Sequence, residues 1–418
     1  MRRAEGARRS LSAVTSLEGH LAPRSRLGRV AILLTAVVGM GALSIDMFLP
    51  SLPALAEHYR TDSATAQLTV TLFLVGLAAA QLVFGPLSDR FGRRIVLIGG
   101  LSVYTVAGLA CALAPGIRLL IAARVLQAFG AGSGPVVARA IVRDVYEREQ
   151  AVRALALMST AQALTPILAP VLGGFLHVAF GWRSVFYVLA GFGALFVLGA
   201  LSLVRETNVR RDATALSAAR LAENLRALLG SPAYLGYVAA VSLMFCGQFA
   251  FISGSSFVLI GGLGVAPDVY GFCFGSVAVG LMAGSFATSR LTPRVGLDRM
   301  VLIGTALGAC AGLVMATLAW GGARSVTAVI APMFFFAMGL GLVGPNAVAG
   351  AVGPFPHMAG LAAAVLGVAQ MTGSAIYGIA VGRLSDGTAV PMASAIASAG
   401  LAALLCFTFA RTRSGAVE

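Results

Sequence analysis

Two ionisable residues stand where charge is expensive. Asp46 lies in LSIDMFLPSLP (43–53) and Arg124 in RVLQAFGAG (124–132), each within a long apolar run. A charge at the centre of a membrane-crossing helix costs roughly 2.5–3.5 kcal/mol on insertion scales. Each therefore demands a partner or a wet cavity. Arginine does not give up its proton in proteins. A carboxyl caught between burial and a nearby guanidinium can take one up and release it. The pair reads as a proton-handling site, with Asp46 as carrier and Arg124 as the charge that biases it; the alternatives are an Arg124 bonded to helix carbonyls and an Asp46 that caps the kink before Pro50 or sits at the interface.

Three further groupings could act on a transported molecule or on helix motion. The segment Gly85-Pro-Leu-Ser-Asp-Arg-Phe-Gly-Arg-Arg94 combines Gly85 and Gly92 with Asp89, Arg90, Arg93 and Arg94, and Asp144 is the acid expected to meet these arginines. In it, Asp89 is placed to accept hydrogen bonds at the start of the following helix, where the dipole favours an anion. The segment Thr165-Pro-Ile-Leu-Ala-Pro-Val-Leu-Gly-Gly174 sets Pro170 before Gly173 and Gly174, a kink followed by small residues that let a facing helix approach. Finally, Gln127, Gln162, Phe245, Gln248, Asn346, Gln370 and Tyr377 are polar or aromatic within apolar runs. Unpartnered amides in hydrocarbon are costly, so these are the candidates to line a mostly apolar substrate cavity.

The elements that must hold these residues follow from composition. Of 418 residues, 58% are hydrophobic and 11% charged, against roughly 25% charged in a soluble domain. The apolar runs predict twelve helical spans, roughly 30–51, 66–84, 95–114, 117–138, 154–177, 184–204, 233–256, 270–289, 300–320, 325–349, 359–381 and 390–410, because open strands cannot satisfy their backbone in lipid. The expected fold is an all-α polytopic membrane protein of two six-helix bundles. The divisions are a tail (1–28), a first bundle (29–204), a linker (205–232) with an amphipathic stretch near 214–229, a second bundle (233–410) and a short tail (411–418). Weak repetition between the halves, as in SRLTPRVGLDR (289–299) against the 85–94 loop, supports six plus six around a midplane site.

The net charge of +14 comes from 30 basic residues, all Arg, against 16 acidic ones. A basic chain raises the nucleic-acid reading, but no soluble module gathers the arginines. Sorted by loop, 24 fall on the side of the N-terminus and five on the other, which by the positive-inside rule places both termini in the cytoplasm. The five cysteines are not in CxxC spacing and the four histidines are scattered, so neither a disulfide framework nor a metal site is expected.

These segments resemble the major facilitator superfamily across essentially all twelve spans. Within it the chain is similar to the drug:proton antiporters of the Bcr/CflA group, which includes bicyclomycin and chloramphenicol exporters. The 85–94 segment matches the superfamily's G-x-L-x-D-R-x-G-R-[RK] loop signature at every fixed position, and the resemblance implies a latch that holds the outward-facing state. The span containing Arg124 resembles R-x-x-Q-G-x-G, with Ala128 at the first glycine, and implies a role in proton transfer. Asp46 sits in a segment similar to D-M-[YF]-L-P-x-[LVM]-P, and a second acid found in some relatives is replaced by Val38. The span 5 segment resembles an antiporter signature, with Thr165 and Ala169 at glycine positions. Gly344-Pro-Asn346 resembles a G/A-P-N element of the same group.

The expectation is proton-coupled efflux of small amphipathic compounds by a monomer in the bacterial inner membrane. Protonation of Asp46 would weaken its tie to Arg124. No catalytic residues and no cofactor are expected, with the proton gradient as energy source. The partners are substrate, protons and lipid, without nucleic acid. A dedicated exporter of a metabolite such as an amino acid or sugar is the alternative on the same fold. An ATP-driven pump needs GxxxxGK[ST], which a chain without lysine cannot contain.

Overall fold

The computed structural model describes residues 24–208 and 218–414. The expected tails and the start of the amphipathic stretch lie largely outside them. Among the described residues, twelve helices are long and apolar enough to cross a membrane. They are α1 Gly28–His58, α2 Ser63–Phe91, α3 Arg93–Ala112, α4 Ile117–Val145, α5 Glu149–Phe180, α6 Arg183–Leu203, α7 Pro232–Gly262, α8 Pro267–Val295, α9 Leu297–Trp320, α10 Val326–Val352, α11 Ala359–Leu384 and α12 Val390–Thr412. A linker helix, Ala218–Leu229, precedes α7. Several helices outrun their apolar stretches. Thus Asp89 and Asp144 belong to the last turns of α2 and α4 rather than to loops, and Asp46 is not alone among acids on the spanning helices.

Local chemistry sets the helix ends. Asp62 caps α2 by accepting from Thr65 N at 2.9 Å, and Ser325 caps α10 by accepting from Ala328 N at 3.2 Å. Gly92 (φ 105°) and Gly296 (φ 87°) end α2 and α8 in the same left-handed conformation, which glycine adopts without strain. This is the repeat between the halves in structural form. Within α1, regular helix stops at Asp46 and a 3-10 turn, Leu49–Ser51, intervenes before helix resumes at Leu52. Pro50 has no N–H to donate to the Asp46 carbonyl one turn back, so the backbone must leave the α pattern there.

Helices α1–α6 and α7–α12 pack as two bundles that meet along α5 with α8 and along α2 with α11. Passing six helices per bundle puts the linker and both described chain ends on one face, the linker face. The bundles touch towards the opposite face. Cβ atoms built on Gly174 and Gly271 would strike Pro267 and Val171 respectively, and one on Gly382 would lie 3.2 Å from Ala64. By contrast, α4 and α5 make no comparable contact with α10 and α11 among the described residues. The bundles close on the far face. The α2–α11 contact runs on past mid-span, where a Cβ on Gly367 would lie 2.8 Å from Gln81 Oε1, and the parting towards the linker face is between α4 and α5 on one side and α10 and α11 on the other.

Candidate functional site

Arg124 is completely buried on α4 and is held by three helices. Its Nε donates to Thr69 O of α2 at 3.3 Å, Nη2 to Ser44 O of α1 at 3.1 Å, and Nη1 to Gln127 Oε1 at 2.9 Å. Aromatic faces complete the cage: the Phe73, Phe48 and Phe186 centroids lie 4.2, 5.1 and 5.7 Å from the guanidinium carbon. Beside it, Ser44 Oγ and Tyr104 Oη share a 2.8 Å hydrogen bond. The planar guanidinium suits this site because it offers several donors at fixed angles. The charge is thus accommodated by carbonyl dipoles and ring faces.

The expected tie between Asp46 and Arg124 is not present in this conformation. Among the described residues the ion pairs are those of Arg93 with Asp89 and Asp144, and no cation comes within 4.0 Å of Asp46. Position along α1 gives the reason. Ser44 and Asp46 are two residues apart, about 200° around a helix, so their side chains leave α1 in opposed directions. Asp46 is 5% exposed, and the break that follows it packs on α5, α7 and α8. It therefore lies at the junction of the bundles.

The span 5 glycines face two different neighbours. A Cβ on Gly173 would strike the Met47 carbonyl, next to Asp46 in the same bundle, whereas one on Gly174 would strike Pro267 O across the bundle boundary. Pro170 lies against Gly271 of α8. These adjacent positions join the Asp46 break and the far-face seal to one helix.

The 85–94 segment forms a network confined to the first bundle and the start of the linker. Arg93 reaches Asp89 Oδ1 at 2.5 Å and Asp144 Oδ2 at 3.3 Å, and Arg94 donates to Val204 O and Leu201 O at 2.9 and 3.0 Å. Arg90 lies over the ring of Phe91. The carboxylate at the start of α3 belongs to Glu206, not to Asp89. It accepts from Arg93 N at 2.8 Å and Arg94 N at 3.2 Å and lies against Gly92, where a side chain would displace it. Partial burial raises the Glu206 carboxyl, but the N–H groups of Asn208, Arg93, Arg94 and Thr207 outweigh it and hold the pKa below the ordinary value. Sequence reasoning passed over Glu206. The available signal was an acid at the end of a span, facing the exposed amides of the next helix start.

The seven cavity candidates disperse. Gln127 is buried within the first bundle as the partner of Arg124, with its Nε2 unpartnered. Asn346 is spent within the second bundle: its Nδ2 donates to Leu342 O at 2.8 Å and its Oδ1 accepts from Thr292 at 2.9 Å. Tyr377 borders a groove of about 590 Å³ shared with Trp320 of α9 and Ser394 of α12, away from the bundle boundary. Gln248 is buried on α7 with Oε1 unpartnered. Gln162 on α5, Phe245 on α7 and Gln370 on α11 are half-buried. These last four keep places on helices that flank the junction. Among the described residues, no group of His, Cys, Asp and Glu is arranged to hold a metal ion.

The Major Facilitator Superfamily model matches residues 32–379. An uncharacterized MFS-type transporter of Bacillus subtilis, YdgK, is 33% identical over 92% of this chain and 96% of its own. The chloramphenicol resistance protein of Pseudomonas aeruginosa is 33% identical over 82% of this chain and 81% of its own. Among solved structures, a POT peptide transporter in complex with sulfate superposes with TM-score 0.75 at 13% identity, covering 93% of this chain and 95% of that one; this likeness concerns the fold. A twelve-helix chain in two bundles, with this loop network and these relatives, belongs to the Major Facilitator Superfamily.

Proposed function

We propose that this protein exports small amphipathic compounds, antibiotics included, in exchange for protons, with the linker face in the cytoplasm of a bacterial plasma membrane. The chloramphenicol-resistance relative supports the substrate class. The 24-to-five division of arginines supports the orientation. The observation that carries the coupling is Asp46, 5% exposed at the bundle junction with no cation in ion-pair reach among the described residues.

A bare carboxylate buried without a counter-charge is strongly disfavoured. The sealed far face therefore accommodates the neutral acid. A proton taken up from outside neutralises Asp46 and lets the bundles close over it. Loss of that proton to the cytoplasmic cavity restores the charge, which drives the junction open again and carries substrate outward. Arg124 braces α1 against α2 and α4 throughout, rather than trading its hold on Asp46.

Inverted vesicles loaded with a pH dye test the scheme. Adding a chloramphenicol-like drug should move protons in the wild type and not in Asp46→Asn. Drug-driven proton movement that survives Asp46→Asn removes Asp46 as carrier. A susceptibility panel in an efflux-deficient host, with amino acids and sugars as competitors, tests the substrate class separately.

A further inference from the structure

The far-face junction of α2, α7 and α11 is built in layers. In the outer layer Ser253 Oγ of α7 donates to Gln67 Oε1 of α2 at 2.8 Å, joining the bundles. Both side chains are buried, at 0% and 1% exposure. Gly382 of α11 closes this layer; a Cβ there would lie 3.2 Å from Gln67 Oε1. One turn deeper, a Cβ on Gly378 would stand 2.7 Å from Thr71 Oγ1 and 2.9 Å from Phe249 Cε1. The Thr71 hydroxyl is fully buried and has no hydrogen-bond partner among the described residues.

We infer that Gln67 and Ser253 are positioning residues for transport: their hydrogen bond latches the far-face gate and sets the fraction of molecules in which it is closed. The inference rests on alternating access between the two bundles and not on the proton carrier. The bond spans the bundles and so exists only while they touch. Around it Gly378 meets Thr71 and Gly382 meets Ala64 across the boundary, contacts that let the helices approach closely but form no hydrogen bond. Once the gate parts, both groups meet water, and the net preference for closure is that of one exchanged hydrogen bond. Thr71 opposes it, because an orphaned hydroxyl is relieved when the gate opens. A bond of this size against a penalty of similar size leaves the two states close in free energy, as a transporter that must visit both requires.

The test follows gate opening through Thr71 itself, which gives up no hydrogen bond on replacement. Thr71→Cys is placed in a background whose five native cysteines are alanine, and the purified full-length protein in nanodiscs is reacted with a water-soluble maleimide. Because position 71 is sealed when the gate is closed, the labelling rate reads the open fraction. Read as the ratio of open to closed molecules, it should rise at least roughly fivefold in Gln67→Ala and in Ser253→Ala, since each removes the bond and orphans its buried partner, and the double variant, which orphans neither, should not exceed either single one. Ser253→Thr, which keeps the hydroxyl, should stay at the starting rate. Equal rates in all variants, or single effects that multiply in the double variant, overturn the latch. Thermal unfolding of each variant separates gate opening from misfolding, since a misfolded chain labels fast and loses its transition. No gradient is applied, so a failure of the proton-carrier scheme in vesicles leaves this measurement unaffected.

Discussion

Replacing Arg124 by lysine keeps the charge and removes the fork, which separates bracing from charge. The guanidinium makes three hydrogen bonds, to Thr69 O, Ser44 O and Gln127 Oε1, and stacks on Phe73 at 4.2 Å. A lysine ammonium is a compact point charge at the end of a flexible stem and can keep about one of these bonds. Charge-assisted bonds are worth about 1.5–3 kcal/mol in soluble proteins, while interhelical bonds in membranes average about 0.6 kcal/mol. Taking about 1 kcal/mol for each of two lost bonds and about 1 kcal/mol for the lost stacking gives a destabilisation of about 3 kcal/mol. For a bundle of this size that lowers the melting temperature by roughly 6–12 °C. The assay is thermal unfolding of purified wild type, Arg124→Lys, Asp46→Asn and the double variant. With no ion pair between the two residues and no hydrogen-bond partner shared, the effects should add to within about 0.5 kcal/mol. A coupling above about 1 kcal/mol, or an unchanged melting temperature in Arg124→Lys, would refute the bracing role and restore a direct Asp46–Arg124 tie.

Three other outcomes follow from the same packing. Gly173→Ala should lower thermal stability, because its methyl meets the Met47 carbonyl within one bundle. Gly174→Ala should instead favour the far-face-open state, because its methyl meets Pro267 across the boundary; each overpacking costs about 1–3 kcal/mol, and melting curves beside labelling of Thr71→Cys distinguish them. The Glu206 carboxyl is held below its ordinary pKa, so its cap on α3 is fully present above the unfolded value of about 4.3 and is lost as pH falls through the lower folded value. The protection of the Arg93 and Arg94 amides, taken against the intrinsic exchange rate at each pH, should fall on that acid side in wild type and be lost already at neutral pH in Glu206→Ala. Asn346→Leu should cost about 1–3 kcal/mol by orphaning its buried partners on α8 and α10, while leaving the ratio of resistance to different drugs unchanged. A selective change in that ratio would return Asn346 to the substrate path.

Much of the architecture was legible along the chain, because crossing hydrocarbon is a local demand. An apolar run of sufficient length must be helical, and Pro50 must interrupt α1 wherever α1 packs. The loop network was half legible: Asp144 was anticipated as a partner for the 85–94 arginines, since charges of opposite sign on one face are drawn together. Glu206 was missed because its acceptors are backbone amides, which every residue carries and no motif marks. For Arg124 the sequence left two readings open, a charge paired with Asp46 and a guanidinium bonded to helix carbonyls, and this conformation has the second, with two carbonyls, a glutamine and three rings as its partners.

The sequence alone therefore determined the number of spanning helices, the break at Pro50 and the asymmetry of charge between the faces. Only the tertiary structure decided which side of each helix looks inward. It sent Asp46 to the bundle junction and Arg124 into the first bundle, buried Asn346 among its neighbours and turned Tyr377 to an outer groove. The physical reason is angular. Each residue turns a helix by about 100°, so a rotation of one residue redirects every side chain, and that rotation is set by close approaches between helices such as those at Gly173 and Gly174.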